Sequence, residues 1–180
     1  VALAALSGEG VYNFGEVLAT PILDALNHTP NAWLGDLLRI FAAGDVDAFN
    51  DCLGKNKDEY LKQPALRAKA PFVKEKIALL AFMNLVFETP AHQRAISFQA
   101  IASRARLDLD HVEWLAMRAM ALGLVKGVID EVAQVVEVSW VQPRVLDAGQ
   151  ISHLIEQIDT LSSKSLKAHG LIAEQTAELL

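Results

Sequence analysis

The sequence predicts a mainly α-helical chain in three zones: the end of a helical-repeat region, a compact helix-and-strand domain, and one long C-terminal helix. Three observations carry this. Apolar residues recur at three-to-four spacing up to about Ala70, with breakers every ten to fifteen residues. From Pro71 the order becomes helix, short strand, helix, turn, helix, strand, strand, which is that of a winged helix. After Pro143 an apolar heptad runs almost to the end. The corresponding boundaries are 1–70, 71–146 and 147–180.

In the first zone, Asn13 is expected to cap a helix reaching Leu26, with Phe14, Val17, Leu18, Ile22 and Leu26 on one face and a kink at Pro21. Asn31 opens a second helix bearing Trp33, Leu34, Leu37, Leu38 and Phe41, which Gly44 ends. Asp45 caps a third, with Val46, Phe49 and Leu53 inward, and Gly54–Asp58 is expected to be a loop. Short helices joined by short connections have the texture of a solenoid. The opening Val1–Leu6 reads as the end of a helix already under way, so the chain is expected to be a piece of a longer protein.

Pro71 suits the first turn of a helix to Phe87 whose apolar residues surround the axis, so it should be buried on most sides. A short extended run at Arg94–Phe98 precedes a helix to Ala105 with Ile101 and Ala102 inward. Asp108 caps the next helix, with Val112, Leu115, Ala116, Ala119 and Leu122 buried and Gly123 as its stop. Two strands follow, Leu124–Asp130 and Val135–Val141, and strict alternation puts Val136, Val138 and Trp140 on one face of the second. In the third zone Asp147 is the expected N-cap. Positions 151, 154, 158, 161, 165, 168, 172, 175 and 179 alternate by three and four, strongly apolar at first and diluted at Ser165 and Gln175.

Composition narrows the function. Hydrophobic residues are 52% and charged residues 21% of 180, enough for a real core. One cysteine, Cys52, excludes an internal disulfide or a Cys-rich zinc site and fits a reducing compartment; neighbouring Asp47 and Asp51 disfavour a reactive thiolate there. The net charge is −6, so bulk attraction to nucleic acid or anionic membrane is not expected. The longest apolar stretch, Ile77–Phe87, is far short of the roughly 20 residues needed to span a bilayer.

The common catalytic signatures are absent from the sequence: there is no His-Glu-x-x-His, no Gly-x-Ser-x-Gly, no P-loop and no Gly-x-Gly-x-x-Gly. His153 and Glu156 stand i,i+3 but lack further ligands, and Ser7-Gly8-Glu9-Gly10 reads as a turn between helices. No catalytic, cofactor or metal residue is therefore assigned. The would-be recognition helix opens with Asp108, Asp110 and Glu113, which argues against a DNA reader, although Arg104, Arg106 and Lys126 could form a small basic spot. Two surfaces are left over for protein partners. One is the wing edge, Val135, Val136, Glu137, Val138, Ser139 and Trp140, an unpaired strand expected to seek a neighbour. The other is the long-helix seam, Ile151, Leu154, Ile158, Leu161, Ile172 and Leu179.

The block Leu122–Glu131, with its Gly127-Val128-Ile129-Asp130, and the continuation Val138–Asp147, with Trp140-Val141-Gln142-Pro143-Arg144, resemble the wing of a PCI domain. Together with Leu6–Glu16 they resemble the C-terminal half of PCI subunits of the proteasome regulatory-particle lid. That resemblance implies a solenoid joined to a winged helix, and a non-catalytic scaffold in a hetero-oligomer with other PCI-domain and lid subunits, in the cytoplasm and nucleus. It implies no cofactor, nucleic acid or membrane. The same domain also serves the COP9 signalosome and a translation initiation factor, and a winged-helix nucleic-acid binder is the alternative from another class.

Overall fold

The computed structural model describes residues 1–20, 26, 29, 31–90, 93–143 and 148–177, with side chains left aside at 148–150, 153 and 173–177. It divides into two compact units, Val1–Arg144 and Val145–Leu180.

The first unit begins with α1 (Ala2–Ser7) and α2 (Phe14–Leu18). The helix expected from Asn13 to Leu26 ends at Leu18, ahead of Pro21, so the kink is replaced by a stop: the Thr20 amide and hydroxyl both turn back to the Val17 carbonyl. The expected positions of Pro21 and Ile22 lie outside the described residues. α3 (Ala32–Ala43) ends at Gly44 in the left-handed region, φ 61°. α4 (Val46–Lys55) starts where Asp45 Oδ1 accepts from the Ala48 amide at 3.0 Å. The loop expected at Gly54–Asp58 is instead helical apart from a break at Asn56. That side chain donates to the Cys52 carbonyl, and α5 (Lys57–Leu61) starts directly after it. α6 (Pro64–Ala68) uses its proline in the first turn.

α7 (Ala70–Glu88) is the axle of this unit. Val73, Ile77, Leu79, Leu80, Phe82 and Val86 are fully buried on different sides of it. Leu6, Phe14, Leu37 and Phe41 from the helical hairpins and Ile101, Val112, Leu115 and Val136 from the elements that follow α7 belong to the same core. The core is therefore continuous through both the helical hairpins and the winged helix.

The winged helix follows as β1 (Ala95–Ser97), α8 (Phe98–Ala105), a 3-10 turn (Leu109–His111), α9 (Val112–Ala121), β2 (Val125–Asp130) and β3 (Val135–Val141). Ser97 Oγ caps α8 through the Ala100 amide. The strands form an antiparallel sheet in the order β1-β3-β2. The second unit is α10 (Ala148–Ala177), 30 residues and about 45 Å of helix. Its expected cap, Asp147, lies outside the described residues.

Candidate functional site

The wing is built around a bulge. Lys126 pairs with Trp140 and Gly127 with Val138, so Ser139 is one residue too many on β3. The Ser139 hydroxyl donates to the Lys126 carbonyl at 3.1 Å and holds the irregularity in place. Gly127 is required there: a Cβ at that position would stand 2.1 Å from the Glu137 carbonyl oxygen of the facing strand. Asp130, closing the same Gly-x-Ile-Asp motif, accepts the Ala133 amide at 2.9 Å and shapes the turn that brings Gln134 to φ 52°. Gln134 then accepts the Phe98 amide, tying the turn to the start of α8. The motif is thus geometry rather than chemistry.

This corrects two expectations. β3 is the central strand, not an edge: Val135, Val136 and Glu137 pair with Ser97, Ile96 and Ala95 on one side and with β2 on the other. Past the end of β1, the Val138 amide still donates to the Arg94 carbonyl at 2.9 Å. The open backbone edges are those of β2 and β1. Second, strict alternation fails at the bulge. Val136 and Val138 are buried, but Trp140 lies on the exposed side, where Lys126 Nζ sits 5.0 Å from its ring centroid. Glu137, Ser139 and Trp140 therefore expose their side chains, while Val136 and Val138 belong to the core.

The small basic spot expected from Arg104, Arg106 and Lys126 is also corrected. Arg104 donates to Glu88 at 2.9 Å, Arg118 to Glu75 at 2.7 Å, and Arg106 grips both oxygens of Asp47 from its Nε at 2.9 and 3.1 Å. The Arg106 hydrogen bonds hold the Asp47 carboxyl below its ordinary range and raise Arg106 in turn, and the hydrogen bond to Glu75 raises Arg118. With Lys126 against Trp140, each cation near the recognition helix has a partner within the chain. Among the described residues no group of three or more His, Cys, Asp or Glu could hold a metal ion. Cys52 is free and half-buried, with Asn56 Nδ2 3.6 Å from its sulfur.

On α10 the seam residues Ile151, Leu154, Ile158, Leu161 and Ile172 are exposed, Ile158 at 57% and Leu161 at 68%; Ile155, Leu166 and Leu171 are exposed beside them. Leu179 lies outside the described residues. The sequence reading missed these three flanking apolar residues because it followed a strict heptad.

It also missed Lys76, which is fully buried in α7. Its Nζ donates to the Ala5 carbonyl at 2.7 Å and the Gly8 carbonyl at 2.9 Å, and lies 5.2–5.7 Å from the centroids of Phe14, Tyr12 and Phe72. Burial, with a smaller push from Lys69, lowers its pKa to about 8. The signal was a lysine inside a helix apolar on every side. Gly8 has its own constraint, since a Cβ there would stand 2.5 Å from the Ala4 carbonyl. The Gly8-Glu9-Gly10 block is thus the turn that presents a carbonyl to Lys76.

Residues 53–140 match the PCI domain family, and residues 1–38 match the PSD13 N-terminal repeats. The 26S proteasome non-ATPase regulatory subunit 13 of Dictyostelium discoideum is 35% identical over 178 residues, which is 99% of this chain and 46% of that protein. The 26S proteasome regulatory subunit RPN9 of Saccharomyces cerevisiae is 37% identical over 177 residues, 94% of this chain and 44% of that protein. The eukaryotic translation initiation factor 3 subunit M of Neosartorya fischeri is 29% identical over 128 residues, 71% of this chain and 27% of that protein. The chain spans less than half the length of each of these relatives. Residues 53–140, which take in the winged helix and the helices that lead into it, are a PCI domain, and the chain belongs to the PCI-domain proteins.

Proposed function

We propose that this chain is a non-catalytic scaffold of the proteasome regulatory-particle lid, serving ubiquitin-dependent degradation by holding other PCI-domain and lid subunits together. In this reading residues 1–70 end the helical repeat, 71–146 are the winged-helix part and 147–180 enter a shared bundle. The observation that carries it is the exposed seam of α10. Four apolar side chains, Ile151, Leu154, Ile158 and Leu161, lie in water along one stripe. Burying each contributes roughly 1.5–3 kcal/mol, and soluble monomers rarely leave such a patch uncovered. The similarity to subunit 13 and RPN9 over nearly the whole chain supports the lid as the assembly. The exposed Glu137, Ser139 and Trp140 and the open edge of β2 provide a second contact. The places of work follow from the assembly: cytoplasm and nucleus.

The deciding experiment is affinity purification of the full-length protein carrying Ile158→Asp and Leu161→Asp. The winged helix should fold as before, by circular dichroism, while lid subunits vanish from the mass spectrum of the purified complex. Normal incorporation would overturn the proposal. The shorter similarity to initiation factor 3 subunit M supports a second assembly reading, and initiation-factor subunits in the unsubstituted purification would favour it. The purified chain should turn over no ubiquitin-fluorophore substrate; turnover abolished by a substitution in this chain would refute the non-catalytic reading.

A further inference from the structure

A third apolar surface lies on the outer face of α9. Trp114 and Met117 stand i,i+3 and are each about half exposed, at 48% and 49%. Ala121 extends the stripe at the next i,i+4 place, and Asp110, in the preceding 3-10 turn, leads into it. The core does not need these two side chains, because Val112, Leu115, Ala116 and Ala119 fill the inward face completely. A tryptophan and a methionine side by side on a solvent face are the residue types that anchor protein interfaces.

The charges around the stripe say what would cover it. Arg104, Arg106 and Arg118 are closed off by Glu88, Asp47 and Glu75. Asp108, Asp110 and Glu113 have no ion pair among the described residues, so the N-terminal half of the stripe is acidic. Nucleic acid is repelled there. A lysine- or arginine-bearing amphipathic helix is complementary on both counts, with apolar anchors for Trp114 and Met117 and cations for the three carboxylates.

We propose that this face of α9 is a docking site for a basic amphipathic helix of a partner protein. The site is independent of the lid reading, because neither the seam of α10 nor the open edge of β2 contributes to it. The test uses the full chain with Ile158→Asp and Leu161→Asp, which breaks the centre of the α10 seam, and every α9 variant is compared in that same background, so that capture by the rest of α10 cancels. The probes are a labelled helical peptide of leucine and lysine, its leucine–glutamate counterpart, and a labelled DNA duplex, followed by fluorescence anisotropy. The lysine peptide should bind, more weakly as salt is added. Trp114→Ser with Met117→Ser should weaken it by about tenfold or more, with the circular dichroism spectrum unchanged because both side chains are exposed. Asp110→Lys with Glu113→Lys should shift preference to the glutamate peptide. A smaller loss in the serine variant overturns the proposal, as does equal binding of both peptides. DNA binding lost in the serine variant would reassign the face to nucleic acid. Concentration-dependent dimerisation abolished by Trp114→Ser would reassign it to a second copy of the chain.

Discussion

α7 and α10 are the two long helices of the molecule, and they solve opposite problems. α7 is apolar all round and finds apolar neighbours all round; its polar intruders are bound within the chain, Lys76 by Ala5 and Gly8 and Asn84 by the carbonyls of Ala42 and Ala43. α10 is longer, with an apolar stripe that remains exposed. The first helix is complete as folded; the second, in the function proposed, is completed by helices of other chains. A helix buried by its own chain contributes to stability, whereas one left in water stores binding energy for association.

The sharpest way to break that contrast is one substitution in each helix. Leu79 is fully buried in α7, and Leu79→Ala should cost about 2–5 kcal/mol, read as a lower urea midpoint. Leu161→Ala, at 68% exposure, should move the same midpoint by no more than about 0.5 kcal/mol. A large loss at Leu161 would mean that the seam of α10 is already covered within the chain.

Glycines sharpen the comparison at a smaller scale. Gly44 ends α3 at φ 61° hard against α7: a Cβ there would stand 2.6 Å from Asn84 Nδ2 and 2.9 Å from backbone atoms of Leu80 and Ala81. Gly44→Ala should cost about 1–3 kcal/mol from the left-handed backbone alone, with the contact added to it. Gly170 lies in α10 with nothing within 4 Å of a built Cβ. Gly170→Ala should make that helix about 1 kcal/mol more stable, seen as greater helicity on warming. A loss there instead would show that something approaches α10 at that point.

Much of this was readable from spacing. The start of α3 after Asn31, the cap at Asp45, the stop at Gly44, the encircled α7 and the order of winged-helix elements all follow from local patterns, and locally determined structure is what a sequence displays. The failures are non-local. β3 reads as an edge because its β-branched run looks unpaired, and only the return of Ala95–Ser97 from about forty residues upstream makes it central. Trp140 reads as inward because alternation is assumed through the bulge that Gly127 and Ser139 create. Arg106 reads as a free cation because Asp47 is 59 positions away in sequence. Periodicity alone marks the partner surface proposed on α10. Periodicity does not mark the one on α9, because Trp114 and Met117 stand out only against an inward face that is already full.

The last effect concerns the polar intruder in α7, and its sign can be worked out. Burial lowers the Lys76 ammonium to about pKa 8, against 10.5 for the residue in the unfolded chain. Between those values the unfolded chain binds more protons than the folded one, so stability rises with pH across that window. Below about pH 8 both states are protonated and the cost of burying the charge is felt in full. Above pH 10 the trend reverses, because burial raises the phenols of Tyr12 and Tyr60 and the folded chain then holds protons that the unfolded one releases. The neutral amine keeps its donors for the Ala5 and Gly8 carbonyls, so deprotonation relieves the burial cost without opening the clasp. Urea midpoints at pH 7, 8, 9 and 10 should therefore climb for the native sequence and stay flat for Lys76→Met. A native midpoint that is level or falling across this range would show that water reaches Lys76, and that α7 is less completely closed than its contrast with α10 requires.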